Sequence, residues 1–205
     1  MNKNNFTVYI VDDDPAVRDS LTLMLEQDDY RVKSFESGES FLNEIGLGSR
    51  GCGIIDIRMP GMDGMQLQEE ILHRQLPLPI IFLTAHGDIP KSVKAMKAGA
   101  IDFLTKPVTR RDLLAALHSA YLRLADIENQ TTSRHEAQQQ LCKLTEREQQ
   151  VLKLAISGLS NKEIARDLGI SHRTIEIHKS NIMKKTGAGN LLQLARIARN
   201  AGYSN

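Results

Sequence analysis

Cysteine is scarce: Cys52 and Cys142 are the only two among 205 residues. Two thiols cannot build a disulfide framework or a cysteine-rich metal site, which excludes zinc-finger DNA binding and small secreted scaffolds. They are expected to be idle thiols in a reducing cytoplasm. No uncharged apolar stretch approaches the roughly 20 residues that a membrane span needs. Met1–Asn5 carries no apolar leader-like segment, so no secretory signal is expected either. Three catalytic signatures are also missing. No G-x-x-x-x-G-K-S/T marks a P-loop, and no G-x-G-x-x-G follows the first apolar run. The D-x-D-x-T/V of a haloacid-type phosphatase is absent too. What remains has 41% hydrophobic and 25% charged residues, an ordinary globular composition in a chain long enough for two domains.

The net charge of +1 hides an uneven distribution. Residues 143–205 carry eleven Lys and Arg against five Asp and Glu, a net of +6, whereas the preceding 142 residues are net −5. An acidic input module joined to a small basic output module fits this division, as does mere solvation of both surfaces. Motifs must decide.

The acidic part alternates strand-like and helix-like segments. Short apolar runs at Phe6–Val11, Tyr30–Phe35, Cys52–Ile57, Ile80–Leu83 and Ile101–Leu104 are separated by helical spacing. The helical stretches are Pro15–Glu26, a Ser37-led segment, Met65–Leu72, Ile89–Ala98 and a helix after Pro107. Such alternation predicts an α/β domain with a five-stranded parallel, doubly wound sheet covered on both faces. Functional sites in these folds lie at the carboxyl ends of strands.

Chemistry-bearing residues fall at those ends: Asp12, Asp13 and Asp14 after the first strand, Asp56 at the third, Thr84 at the fourth and Lys106 at the fifth. Crowded carboxylates repel one another. A hard cation such as Mg²⁺ offsets that repulsion and keeps positions for water and phosphate. A hydroxyl and an ammonium opposite would hold phosphoryl oxygens. The set suits an aspartate that accepts a phosphoryl group. Asp after a strand is commonly just a turn residue; it is the joint arrangement at four strand ends that is specific.

The stretches YIVDDDPAVRDSL, IIDIRMPGMDGMQL, IIFLTAHGD and MKAGAIDFLTKP resemble the two-component receiver domain over about residues 5–120. The resemblance implies that Asp56 is the phospho-acceptor and that Asp12 and Asp13 form the acid pocket. It implies Mg²⁺ ligation by Asp13, Asp56 and the backbone carbonyl of Arg58. Thr84 and Phe103 match the switch hydroxyl and switch aromatic, Lys106 the phosphoryl contact, and the Lys106–Pro107 bond is expected to be cis. Asp14 is left as a helix cap. Phe103 also reads as core filler, and its spacing from Lys106 favours the switch.

After Leu113, apolar or small residues recur at Leu117, Ala120, Leu124 and Ile127, a helix-packing stripe. It either packs on the sheet or extends to couple domains. A helical linker over 123–141 is expected between a receiver at 1–122 and a second domain at 142–205, with Thr131-Thr132-Ser133 as a candidate joint.

The basic part is punctuated into four short helices. Capping boxes stand at Thr145–Glu148 and Ser160–Glu163, Ser171 and Asn190 start further helices, and Gly158, Gly169 and Gly187 end three of them. The second helix, the Gly169-Ile170-Ser171 turn and the third helix read as a helix-turn-helix. In the third helix Thr174, Ile177, Ile182 and Met183 are expected to face inward or toward a neighbouring helix. Arg173, Glu176, His178, Lys179, Ser180, Lys184 and Lys185 are left outside for base edges and phosphates. An ordinary basic helical bundle would show the same pattern.

The run LTEREQQVLKLAISGLSNKEIARDLGISHRTIEIHKSNIMKKTGAGN is similar to the LuxR-type DNA-binding domain, and the two modules together resemble FixJ-type response regulators. Thr186 departs from the usual Leu or Met, and Ala85 from a common Gly. The resemblance implies DNA-facing positions at Arg173, Thr174, Glu176, Ile177, Lys179 and Ser180, with His178, Lys184 and Lys185 nearer phosphates. Glu176 alternatively pairs with a neighbouring basic residue. It further implies a cytoplasmic transcription regulator, an activator rather than an enzyme. Its partners would be a cognate sensor histidine kinase, double-stranded promoter DNA, RNA polymerase and, once phosphorylated, a second copy of itself. Lys91, Lys94, Lys97, Asp102, Arg110 and Arg111 are the candidates for charge pairing between copies. An acyl-homoserine-lactone sensor would share the DNA-binding module but not the acidic pocket. A phosphorelay or RNA-binding output does not account for the helix-turn-helix.

Overall fold

The structure is a computed structural model that describes residues 5–203 except 86–88. His86, Gly87 and Asp88, and the side chains of Ile89 and Lys91, lie outside the described residues. The chain divides into two compact units, Met1–Ile127 and Glu128–Asn205.

The first unit holds strands β1 (Thr7–Val11), β2 (Arg31–Phe35), β3 (Gly51–Asp56), β4 (Ile80–Thr84) and β5 (Asp102–Thr105). Between them run α1 (Pro15–Glu26), α2 (Gly38–Glu44), α3 (Gly64–His73) and α4 (Ile89–Lys97), and α5 (Arg110–Leu141) follows. All strand pairs are parallel, in the order β2-β1-β3-β4-β5. The order reverses between β1 and β3, where doubly wound sheets hold ligands at the carboxyl ends of strands.

Each strand feeds two cores because successive side chains point to opposite faces. Val8 and Ile10 of β1 join Cys52, Ile54, Ile81 and Leu83 beneath Leu21 and Leu25 of α1. Tyr9 and Val11 join Ile55 and Phe82 on the other face, beneath Phe41 of α2, Leu67 and Ile71 of α3 and Ala95 of α4. The stripe after Leu113 packs on the first of these faces: Leu113, Leu117, Ala120 and Leu124 are buried there.

Helix α5 stays helical through Thr131, Thr132 and Ser133, the candidate joint. Their lower propensity costs only a few tenths of a kcal/mol each. Ala137 and Leu141, further along the helix, are buried in the second unit.

The second unit adds α6 (Glu146–Ile156), α7 (Asn161–Leu168), α8 (His172–Thr186) and α9 (Leu191–Asn200). Both capping boxes form as read, at Thr145–Glu148 and Ser160–Glu163. Ser171 and Asn190 cap α8 and α9. The α7–α8 turn needs a left-handed residue, which Gly169 supplies at φ 64°. The core gathers Val151, Leu152, Ile164, Ile175, Ile182 and Leu194. Thr186 is buried and donates its hydroxyl hydrogen to the Ile182 carbonyl at 2.8 Å, which satisfies the polar atom where an apolar residue is usual.

Candidate functional site

Three strand ends converge on one ammonium. Lys106 follows β5 after its backbone N–H donates to the Thr84 carbonyl at 2.7 Å. Its Nζ lies 2.5 Å from Asp12 Oδ2 at the end of β1 and 2.6 Å from Asp56 Oδ1 at the end of β3. The Lys106–Pro107 bond is cis. Asp12 and Asp56 are both buried, at 1% and 6% exposure. The remaining carboxylate oxygens are held by backbone: Asp14 N–H donates to Asp12 Oδ1 at 3.0 Å, and Arg58 N–H donates to Asp56 Oδ2 at 2.6 Å. Arg18 Nη1 donates to the Asp12 carbonyl at 2.7 Å, fixing the turn into α1. Asp14 caps α1 by accepting from Ala16 N–H. The loop after β3 passes so close that a Cβ on Gly64 would sit 2.3 Å from the Asp56 carbonyl oxygen, so only glycine fits.

Burial pushes the Asp12 carboxyl above the ordinary carboxylate range, against the hydrogen bonds from Lys106 and the Asp14 N–H. For Lys106 burial favours the neutral amine, but hydrogen bonds to Asp12 and Asp56 and their charges outweigh it and hold the ammonium above its ordinary value. The proton therefore stays on Lys106. One ammonium is thus shared between two acidic side chains.

Asp13 lies beside the pocket with an exposed side chain. Among the described residues no three acidic, His or Cys groups gather closely enough to hold a metal by themselves. Mg²⁺ does not require that, since it takes one or two carboxylates and completes its shell with water and phosphate. The oxygen donors at hand, Asp13, Asp56 and a backbone carbonyl in the loop after β3, match a hard cation. Thr84 is buried at the end of β4. Phe103 is half-buried, its ring centroid 6.4 Å from that of Phe82.

The basic unit departs from the expected helix faces in two places. Ile175, not Ile177, enters the core, in line with Ile182 and Thr186. Ile177 lies two positions from Ile175, more than half a turn around the helix, and is 50% exposed. Lys179 is half-buried, donating to Asn161 Oδ1 on α7. Lys185 is exposed as expected, but its Nζ reaches back to α6, 2.6 Å from the buried carboxylate of Glu148. Arg173, Glu176, Ser180 and Lys184 are exposed as expected, and His178 and Thr174 are half-buried. Thr174 Oγ1 is engaged with Ser171 Oγ at 2.8 Å. Glu176 pairs with His172 at 3.7 Å and Arg173 at 3.5 Å, both on its own helix, so it ties no two helices together. Sequence reasoning missed Asn161 and the second role of Glu148. The latter had a visible signal, since Glu148 shares the α6 face of Val151, Leu152 and Ala155 at helical spacing.

A parallel 2-1-3-4-5 sheet with such a pocket, followed by a helix-turn-helix, defines a phosphoryl-responsive regulator of transcription. The model described as "Response regulator receiver domain" matches residues 8–118, and that described as "Bacterial regulatory proteins, luxR family" matches residues 142–198. The chain belongs to the response regulators that join a receiver to a LuxR-type DNA-binding domain, a family in which phosphorylation-dependent control of transcription and Mg²⁺ at the acidic pocket are typical. It is 43% identical to the response regulator protein TmoT of Ectopseudomonas mendocina over 96% of this chain and 90% of that protein. It is 40% identical to the transcriptional regulatory protein FixJ of Bradyrhizobium diazoefficiens over 97% of each. The solved structure of the response regulator StyR is similar, with TM-score 0.77 and 41% identity, over 95% of this chain and 98% of that one. No described helix is long and apolar enough to cross a membrane.

Proposed function

We propose that Asp56 is the phospho-acceptor through which a sensor histidine kinase controls this regulator, and that the phosphorylated chain dimerises to bind promoter DNA. The phosphoryl group comes from a phosphohistidine of the kinase. Its P–N bond breaks with the electron pair returning to the imidazole nitrogen, and an Asp56 carboxylate oxygen forms the new P–O bond. Asp13, Asp56 and the Arg58 carbonyl would hold Mg²⁺, which would supply charge that offsets the negative phosphoryl oxygens. Asp12 keeps Lys106 oriented while the ammonium exchanges Asp56 for a phosphoryl oxygen. Phosphorylation adds about −1.5 to −2 charges. The Thr84 hydroxyl then moves toward the new oxygens, Phe103 turns inward, and the face made by α4 and β5 becomes the dimer surface.

Two DNA-binding domains engage two half-sites, with α8 in the major groove. Arg173, Glu176, Ile177 and Ser180 are the outward residues for base edges, and Lys184 and His178 lie nearer the phosphates. The protein works in the cytoplasm, with RNA polymerase as its partner at an activated promoter, and has no catalytic turnover of its own beyond handling its phosphoryl group.

The observation that carries this reading is Lys106 Nζ within 2.6 Å of both Asp12 and Asp56 at neighbouring strand ends. Wild type and Asp56→Asn are treated with acetyl phosphate and Mg²⁺ and weighed intact. A phosphoryl adduct on wild type alone is expected; equal adduct on the variant overturns the assignment.

A further inference from the structure

Lys179 has an unusual setting for a residue on a DNA-reading helix. It is half-buried where α8 crosses α7, and burial lowers its affinity for the proton with no carboxylate to offset it. Its one hydrogen-bond partner among the described residues is Asn161 Oδ1, at the first position of α7. A lysine ammonium has three donors and no acceptor, so the Asn161 contact must use the carboxamide oxygen and leaves the amide NH₂ free to donate elsewhere. Lys162 adds an exposed ammonium next in sequence, and the amino end of α7 adds partial positive charge. A partly desolvated cation beside a free amide donor calls for an anion rather than a base edge.

We infer that Asn161 positions Lys179 to take a backbone phosphate of DNA, so that Lys179 contributes affinity independent of sequence. This rests on the DNA-binding reading above and adds Asn161 to it. Asn161 fixes the reach of a flexible four-carbon stem, and its NH₂ is a second donor to the same phosphate. The helix before a recognition helix ordinarily crosses the DNA backbone, which places this pair near phosphates. Base reading is left to Glu176, Ile177 and Ser180, which are exposed.

The test uses full-length phosphorylated protein and two DNA probes. One is a duplex obtained by binding-site selection with wild type, and the other is its scrambled counterpart. Lys179→Ala should weaken binding to both by the same factor and reduce the salt slope by about one unit. The ratio of wild-type to variant affinity should then fall about three- to fourfold between 50 and 200 mM salt. Lys179→Arg should keep the slope. Asn161→Ala should weaken both duplexes alike, and the double variant should lose less than the sum of the two single losses, because Asn161 acts largely through Lys179. A loss confined to the selected duplex with an unchanged slope makes Lys179 a base reader and overturns the clamp. Additive losses overturn the positioning role of Asn161. Failure of the selection to enrich any sequence, with no binding of wild type to random duplex, overturns the DNA-binding reading itself, an outcome distinct from the other two.

Discussion

Glu148 on α6 and Lys185 on α8 form an ion pair at 2.6 Å whose carboxylate is almost wholly buried, the side chains being 4% and 36% exposed. The same Glu148 Oε2 also accepts from Thr145 N–H at 2.8 Å, closing the capping box that starts α6. One carboxylate thus begins α6 and fastens α8 to it. Lys185, on sequence grounds a phosphate contact, has its ammonium engaged by this buried carboxylate.

Removing either partner should therefore cost stability before it costs DNA binding. Lys185→Ala leaves a buried carboxylate short of a donor, worth about 1 to 3 kcal/mol. Glu148→Ala loses the pair and the cap together and should cost more. Burial pushes the Glu148 carboxyl up, but hydrogen bonds from Lys185 and Thr145 outweigh it and hold it below the ordinary range. A depressed folded value stabilises the fold above the unfolded pKa of about 4.3, and that contribution disappears as pH falls through the folded value. Urea unfolding of the full chain, followed by hydrogen exchange in α6 and α8, should show protection falling below about pH 4.3 in wild type but not in Glu148→Gln. Unchanged stability in Lys185→Ala would return Lys185 to the DNA surface.

Asp12 has the opposite sign. Its folded value is raised, so neutralising it favours the fold: the contribution is fully present below the unfolded pKa of about 3.9 and is lost as pH rises through the folded one. Asp12→Asn should make the first unit more stable than wild type at pH 7, and the gap should close as pH falls toward about 4. The same variant should lose phosphoryl uptake, because Lys106 loses an anchor. A gap that widens in acid would mean that Asp12 is stabilised as the anion.

The strand ends were legible because strand–helix alternation fixes which residues share one edge of the sheet, so Asp12, Asp56, Thr84 and Lys106 could be placed together from order alone. Caps were legible for a similar reason: Thr145–Glu148 and Ser160–Glu163 are local pairs. The pairings of long cations were not. Lys185 and Lys179 both read as outward cations, and their partners lie 37 and 18 residues away. Ile175 and Ile177 are both apolar, and only the position of α8 against α6 and α7 decides which is buried. Lys94, Arg110 and Arg111 looked available for pairing between copies. Each has a partner in its own chain: Glu69 at 3.3 Å, Asp28 at 2.5 Å and Asp112 at 3.3 Å.

Gln68 is a polar residue inside the seam between α3 and α4. It is 1% exposed, its Nε2 donates to the Ala95 carbonyl at 3.3 Å, and its Oε1 has no partner among the described residues. The Ala95 carbonyl already accepts from Ala100 N–H at 3.1 Å. Gln68→Leu should thus lose one long bond, remove an unsatisfied carbonyl and stabilise the first unit by about 1 kcal/mol. A rise in the urea midpoint without a change in its slope is the expected result. A loss of stability would mean that the Ala95 bond holds α4 in place more strongly than its length implies.

The dimer surface can be tested through what α4 leaves uncovered. Val93 and Met96 are 47% and 45% exposed, large apolar side chains on the face that phosphorylation is proposed to reshape. With Lys94 and Arg110 engaged within the chain, apolar contact rather than charge pairing should hold the dimer. A symmetric interface counts each substitution twice. Losing about 1 kcal/mol of apolar burial per copy in Met96→Ala should weaken the dimer by about 2 kcal/mol, roughly thirtyfold in dissociation constant. Lys94→Ala, which removes an exposed pair worth about 0 to 1 kcal/mol, should change it far less. Sedimentation of each variant with a phosphoryl mimic, across a concentration series, measures both constants. If Lys94→Ala dissociates the dimer and Met96→Ala does not, charge pairing sets the interface and α4 meets its partner through the lysine face instead.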